Sequence, residues 1–337
     1  MNAGEANAAE WERVAGMVFG FFPAQVVQTL ARLGVPDALG SGSLDLDALA
    51  THTGTQPDAL ARLLRAAAGL DLVARSTDGS YALTPGGQLL RAGRPGSIGN
   101  LAQLFCGDVV WRSWGELEWS VRTGEQSFEK LTGRSAFAYM ADDPELNAVF
   151  TEAMAEGTRR AAPGIVAACD LTDVTTLADI GGGNGTMLAA FLDAHPHLRG
   201  ILFDTPSGAT ATVVGERCEI VTGDFFEAVP VADAYIVKSV IHDWDDERSV
   251  AILTRVREAM PANGVLFLVE PILRDEPEAL ADQRILLMSD LNMLVCTGGR
   301  ERTEAEFAGL LDAAGLRLTG VTETERSGYS VMRAEPA

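Results

Sequence analysis

The sequence predicts a two-domain α/β protein: a doubly wound parallel sheet in the carboxyl-terminal half and a smaller, mostly helical winged-helix unit at the amino terminus. Three observations predict this. From residue 175 onward, apolar strand-like runs alternate with helical periodicity. The first run, Leu177-Ala178-Asp179-Ile180, passes straight into Gly181-Gly182-Gly183-Asn184-Gly185 and then a helix at 186–194. Strand, glycine turn and helix in that order open a nucleotide site in such a sheet. Near the amino end, a helix over 59–68 precedes short strands at 72–75 and 80–84 across an Asp78-Gly79 turn, the order of a winged helix.

Taken along the chain, residues 1–10 read as a frayed end, followed by helices over 11–22 and 23–33 that stop at Gly34. Residues 36–39 restart a helix briefly and 46–50 begin another. Pro57 then sits in the first turn of the 59–68 helix. Helices are expected at 98–105, 109–123, 136–140 and 144–158. Strands follow at 175–180, 200–204, 218–223, 234–240, 265–270, 316–323 and 328–334, with helices at 184–194, 246–260, 281–296 and 303–314. The last two strands read as an antiparallel hairpin meeting at Ser327-Gly328. The expected division is 1–96, a helical segment 97–167, and 168–337.

Composition limits the function. At 337 residues the chain can bury two cores, and 47% hydrophobic with 22% charged residues is an ordinary globular balance. A formal charge of −21 disfavours nucleic acid and anionic membranes as partners. Apolar runs are broken by charge or glycine, so no transmembrane helix is expected, and residues 1–12 lack the pattern of a signal peptide. Cys106, Cys169, Cys218 and Cys296 show no C-x-x-C spacing, which argues against a disulfide framework or a metal site and suits the cytoplasm. The second helix of the winged unit carries only Arg62 and Arg65 among acidic neighbours. A DNA reader needs a basic stripe, so dimerisation or substrate covering is the expected use.

Several residues could carry chemistry. A dinucleotide fingerprint needs a further glycine at 186 or 188, where the chain has Thr186 and Leu188, so a nicotinamide dehydrogenase is disfavoured. Asp204 closes the second strand, where a carboxylate can take both hydroxyls of a ribose. Asp224 closes the third, beside the apolar ring of Phe225. Lys238 lies inside an apolar strand, where an ammonium needs a reason to be. His242 ends the fourth strand, in the ligand crevice of a doubly wound sheet, and is the best general base of four histidines; His195 and His197 read as surface and His52 lies in the small domain. A carboxylate near His242 would orient its ring, and Glu270 and Glu301 are candidates, though spacing alone brings neither to it. Phe150 and Met154 are four apart on one helix face, as are Asn292 and Cys296.

At these residues the chain resembles the two-domain S-adenosylmethionine-dependent O-methyltransferases that act on small molecules, a family of plant caffeic-acid-type enzymes and bacterial enzymes of antibiotic and pigment biosynthesis. The resemblance runs from about residue 22 to 332. It rests on Asp-Ile-Gly-Gly-Gly-Asn-Gly at 179–185, Gly-Asp-Phe-Phe at 223–226, His-Asp-Trp-Asp-Asp at 242–246 and Gly-Gly-Arg-Glu-Arg-Thr at 298–303, in that order. It implies a Rossmann-like class I methyltransferase domain, an N-terminal dimerisation domain and a homodimer. It also implies S-adenosylmethionine as cofactor, S-adenosylhomocysteine as product, and no metal. It implies that Gly181 and Gly183 approach the methionine part of the cofactor, Asp204 its ribose, and Asp224 and Phe225 its adenine, with Trp244 beside them. Lys238 helps to fix the cofactor and Thr158 lies near its carboxylate. His242 is the implied base, flanked by Glu270 and Glu301, and Phe150, Met154, Asn292 and Cys296 line the acceptor pocket. Trp111, with Phe150 and Met154, would suit a flat apolar acceptor. The segment 205–216 is shorter than in the family, which implies a truncated helix after the second strand.

The leading expectation is thus in-line methyl transfer to a hydroxyl of an aromatic natural product. N-methylation, or hydroxylase or decarboxylase chemistry on the same fold, is the alternative. A ligand-sensing winged-helix regulator is the alternative of another class.

Overall fold

Two apolar helices, α1 (Ala3–Val18) and α2 (Phe21–Arg32), open the chain in the computed structural model, which describes residues 3–210, 213–324 and 328–337. Residues 3–10 are helical rather than frayed, and the break falls at Phe19–Gly20 rather than before Pro23, which the first turn of α2 accommodates because its missing N–H has no partner there anyway. Against the expectation of no membrane-length apolar run, Asn7–Arg32 is long and apolar enough by length and composition. The turn divides it into helices of 16 and 12 residues, each short of the roughly 20 a span needs.

The first compact unit, Met1–Asp108, continues through α3 (Val35–Leu39), β1 (Ser43–Leu44), α4 (Leu46–Thr53), α5 (Pro57–Gly69), β2 (Val73–Arg75), β3 (Tyr81–Leu83), α6 (Pro85–Gln88) and α7 (Gly99–Phe105). Asp45 caps α4 by accepting from the Ala48 amide. Leu30, Leu49, Leu60, Leu64 and Val73 close the core. β2 and β3 form the expected hairpin, and the two-residue β1 adds a third strand in the order β1-β3-β2.

The second unit, Val109–Ala337, begins with a helical layer: α8 (Asp108–Gly115), α9 (Leu117–Thr123), α10 (Ser127–Thr132), α11 (Ala136–Ala141) and α12 (Pro144–Ala168). The single helix expected at 109–123 is split at Glu116, and α10 was not foreseen. α12 starts as expected, with Asp143 capping and Pro144 in the first turn, but runs ten residues past 158 and through Pro163. An interior proline costs a helix about 3 kcal/mol. Burial of Ala161, Ala162 and Ile165 against the sheet offsets it.

The sheet strands are β4 (Thr176–Ile180), β5 (Arg199–Asp204), β6 (Cys218–Thr222), β7 (Ala234–Lys238), β8 (Val265–Glu270), β11 (Leu316–Glu323) and β12 (Ser330–Pro336). Their order is β11-β12-β8-β7-β4-β5-β6, parallel except for β12, which pairs antiparallel with β8 and β11. The expected β11–β12 pairing is present; the turn residue Ser327 lies outside the described residues. A two-stranded ladder joins β9 (Ile272–Leu273) to β10 (Arg302–Thr303). α13 (Thr186–Ala194), α14 (Asp246–Ala259), α15 (Arg284–Cys296) and α16 (Glu304–Ala313) complete the unit. Both faces of the sheet are covered, so β8 is buried at every residue. Strand order reverses direction at β4, with β5 on one side and β7 on the other. The crevice at their carboxyl ends is where a doubly wound sheet takes a ligand. Among the described residues between β5 and β6 there is no helix, truncated or otherwise.

Candidate active site

The glycine turn after β4 forms one wall of the crevice. Gly181 has φ +72°, and a Cβ there would lie 2.8 Å from Val240 Cγ2, so only glycine keeps the backbone both turned and close to the end of β7. Gly183 has φ +58° and donates its amide to Asp204 Oδ2 over 2.8 Å; the Thr205 amide donates to Oδ1 over 2.7 Å. Burial raises the Asp204 carboxyl above its usual range although both amides favour its charge. Asp179 lies at the base of the turn, buried, with Oδ2 lacking a partner, and burial pushes it up to about 7. α12 closes the crevice from above. Asn147 Nδ2 donates to the Ser207 carbonyl, Asn184 Nδ2 donates to Glu152, and the buried Thr158 gives its hydroxyl to the Met154 carbonyl one turn back.

Beyond β6, the exposed Asp224 accepts from the Phe226 amide at 2.8 Å. Phe225 and Phe226 meet Trp244 edge-on with centroids 6.0 and 5.0 Å away, and Phe137 of α11 stacks on Trp244 at 5.7 Å. The Gly-Asp-Phe-Phe segment and Trp244, 18 residues or more apart in sequence, therefore share one aromatic wall.

His242 sits in a 3₁₀ turn, Ile241–Asp243, just past β7. The buried guanidinium of Arg302 fastens this turn: it donates to the carbonyls of Ile241 at 3.1 Å and Trp244 at 2.8 Å and to Asp246. The Gly298-Gly299 loop lies flat against it, with the Arg300 amide donating to the His242 carbonyl at 2.9 Å; a Cβ on Gly299 would stand 2.0 Å from that same oxygen. Nδ1 of His242 donates to Glu301 Oε1 at 3.2 Å, and Glu270 Oε2 stands 3.7 Å away. Both carboxylates that spacing alone could not place are thus brought to His242. Glu301 Oε1 also takes the Ser289 hydroxyl at 2.7 Å, while Glu270 Oε1 takes the amides of Val240 and Ile241 at 3.0 and 2.9 Å. Burial alone would lower the His242 pKa, but the surrounding carboxylates Glu270, Asp243 and Glu301 outweigh it and raise it to about 10. Burial raises Asp243 to about 7 and pushes Glu270 up as well. With Nδ1 engaged, Nε2 is the ring nitrogen left for a ligand.

An apolar layer borders this centre, built from Val110, Trp114, Phe128, Phe137, Phe150 and Cys296. Phe150 meets Phe137 edge-on at 6.3 Å. On α15, Ser289, Asn292 and Cys296 fall at i, i+3 and i+7, one helix face. Asn292 Oδ1 accepts from Trp114 Nε1 at 2.9 Å and from the Cys296 thiol, which burial pushes up to about 12. Met154 is half-buried on α12, and Trp111, half-buried on α8, lies one turn before Trp114. Sequence reasoning named Trp111 and passed over Trp114, Phe137, Asp243, Ser289 and Arg302. Only Asp243 and Arg302 stood inside quoted motifs; the others look like ordinary helix residues. Lys238 Nζ lies 4.8 Å over the ring of Tyr329 and donates to Ser239 Oγ at 3.2 Å. Among the described residues, no group of three His, Cys, Asp or Glu side chains could hold a metal ion.

Residues 114–317 match the model of an O-methyltransferase domain, and residues 16–93 that of an O-methyltransferase dimerisation domain. The O-demethylpuromycin-O-methyltransferase of Streptomyces alboniger is 39% identical over 96% of this chain and 89% of its own length. The 8-amino-8-demethylriboflavin N,N-dimethyltransferase of Streptomyces davaonensis is 34% identical over 88% of each. Among solved structures, LaPhzM superposes with a TM-score of 0.92 at 38% identity, covering 97% of this chain and 99% of that one. NcsB1 of neocarzinostatin biosynthesis, in complex with S-adenosylmethionine and 2-hydroxy-5-methyl naphthoic acid, superposes with a TM-score of 0.78 at 31% identity, covering 94% and 96%.

Proposed function

The chain belongs to the O-methyltransferase family and carries its dimerisation domain, and from that premise we propose that it moves the methyl group of S-adenosylmethionine to a hydroxyl of an aromatic natural product, with His242 as general base. The observation that carries this reading is the seating of His242: Nδ1 spent on Glu301 and Glu270, Nε2 open, beside the glycine crevice. The crevice fits the cofactor on its own features. Gly181 leaves no room for a side chain, Asp204 offers a carboxylate at the end of β5, and the Phe225–Trp244 wall offers a flat apolar face for a base. S-adenosylmethionine, when bound, supplies an electrophilic methyl on a sulfonium centre.

The protein's part is to hold the acceptor oxygen in line and to take its proton. Holding two reactants in reactive geometry supplies most of the acceleration, and a positioned base adds on the order of 10²–10⁴. His242 Nε2 accepts the hydroxyl proton; Glu301 and Glu270 fix the ring and stabilise the imidazolium. Because the carboxylates raise its pKa to about 10, the resting ring carries a proton at neutral pH, and catalysis draws on the fraction that has shed it. The apolar layer of Phe150, Trp114 and Phe137 suits a flat ring, and Trp111 and Met154 extend it. Thr158 and Lys238 complete the cofactor wall, and Asp224 faces the adenine.

Homodimerisation is supported by the dimerisation domain and by the apolar side chains that α1 and α2 leave bare, Trp11 (71% exposed), Val18 (62%) and Phe22 (53%) among them. An amine acceptor is the second reading, favoured by the similarity to an N,N-dimethyltransferase. Incubation with methyl-labelled cofactor and a panel of phenolic and amino-substituted polycyclic aromatics, with the product's methylated atom located by NMR, separates the two. A methyl on oxygen is expected; a methyl found only on nitrogen would replace the first reading by the second.

A further inference from the structure

Lys238, placed above in the cofactor wall, forms a three-residue relay with Ser239 and Tyr329 at the carboxyl end of β7, and the methyl-transfer scheme gives the last two no part. Ser239 is one of two non-glycine residues with positive φ among those described, at +52°. Such a conformation costs about 1–3 kcal/mol and persists only where surroundings hold it. Its amide donates to the Val269 carbonyl at 3.1 Å, and its side chain takes part in a pair of bonds through one oxygen. Lys238 Nζ donates to Ser239 Oγ at 3.2 Å, and Ser239 Oγ donates to the Tyr329 hydroxyl at 3.0 Å. The ammonium is also stacked on the Tyr329 ring, 4.8 Å from its centroid. Lys238 forms no ion pair with any described carboxylate, so two of its three N–H bonds are uncommitted. It points from the same sheet face as Asp179, next to the glycine turn: Asp179 pairs with Ile236, two residues before Lys238 in β7.

A half-buried cation pinned on an aromatic ring, with open donors at the ligand end of the sheet, is built to receive an anion. The cofactor carries one carboxylate, on its amino-acid end. We propose that Tyr329 and Ser239 are positioning residues that aim Lys238 at that carboxylate; the inference rests on the reading of Lys238 as a cofactor residue and adds its target and its two supports. Tyr329 immediately precedes β12, 91 residues beyond Lys238, so the segment that leads into the last strand of the sheet helps to set the cofactor's amino-acid end.

Calorimetric titration of the full-length protein tests this with two ligands, S-adenosylhomocysteine, which keeps the carboxylate, and 5′-methylthioadenosine, which lacks it. Lys238→Met and Tyr329→Leu are each expected to weaken S-adenosylhomocysteine about tenfold and to leave 5′-methylthioadenosine unchanged. Tyr329→Phe, which keeps the ring and loses the hydroxyl, should fall between wild type and Tyr329→Leu, and it serves in place of the latter should that variant fail to fold. Equal weakening of both ligands by the Tyr329 variants would show general loosening and overturn the proposal. Weakening by Lys238→Met with wild-type binding in the Tyr329 variants would remove Tyr329 while leaving Lys238 as a cofactor residue. Wild-type binding in Lys238→Met would remove the reading of Lys238 itself.

Discussion

Oε1 of Glu301 accepts from both Nδ1 of His242, at 3.2 Å, and the hydroxyl of Ser289, at 2.7 Å. One buried oxygen thus ties the turn after β7 to the face of α15 that carries Asn292 and Cys296. The contact fixes the ring's orientation and adds to the rise in its pKa that Glu270 and Asp243 chiefly cause, which makes the pH dependence of the reaction a reading of this site.

With the His242 pKa raised to about 10 by Glu270, Asp243 and Glu301, kcat/KM should climb with pH across the neutral range instead of levelling near the ordinary histidine value of 6.5. Glu301→Gln removes one negative charge, so its rising limb should move to lower pH. The same shift has a stability consequence. A raised histidine pKa adds stability that is whole below 6.5 and lost as pH rises through about 10, so wild type should lose more stability than Glu301→Gln over that window. Kinetic pH profiles and denaturant melts across pH 6–10 check both; superimposable profiles would detach Glu301 from the base.

Asp179 shifts in the same direction at lower pH. Its carboxyl is raised from 3.8 to about 7, so the folded state holds the extra proton and stability falls as pH rises through that interval. Asp179→Asn should flatten this part of the stability curve and gain about 1–3 kcal/mol above pH 7. Thermal melts of the two proteins at pH 5 and pH 8 decide it.

Asp204 tests the ribose assignment. Asp204→Asn keeps the shape and loses the charge that accepts from Gly183 and Thr205. Cofactor affinity should drop about tenfold or more, a loss of one charged hydrogen bond's 1.5–3 kcal/mol. Wild-type affinity by calorimetry would show that the ribose lies elsewhere.

Gly299 is constrained by proximity, not by its φ. An added Cβ would press on the His242 carbonyl at 2.0 Å and on the backbone of Asp243 and Trp244. Gly299→Ala should cost about 1–3 kcal/mol and displace the turn that bears the base, lowering turnover with little change in cofactor affinity.

Much of this architecture was legible in the chain. β4, β7 and β8 read as strands because, buried on both faces, they are continuous apolar runs ended by turn residues. Gly181 and His242 were legible because each ends such a run, and the end of a parallel strand is where ligands bind. What local pattern misses is tertiary. His242 and Glu301 are 59 residues apart, joined by the Gly298-Gly299 approach and by the Arg302 guanidinium. α12 passes through Pro163 because burial of Ile165 outweighs the lost backbone bond. Trp114, Phe137 and Tyr329 are aromatic residues of the kind every core uses, and nothing in their spacing marks what they touch. That no helix lies between β5 and β6 among the described residues was anticipated only in part, from the shortness of 205–216.

The most direct test of the central claim compares wild type with His242→Ala, both saturated with S-adenosylmethionine, on the acceptor identified by the labelled-methyl screen. Methyl transfer should slow by about 10²–10⁴ with cofactor affinity unchanged. A variant that transfers methyl as fast as wild type would contradict the account and leave His242 without a role as base.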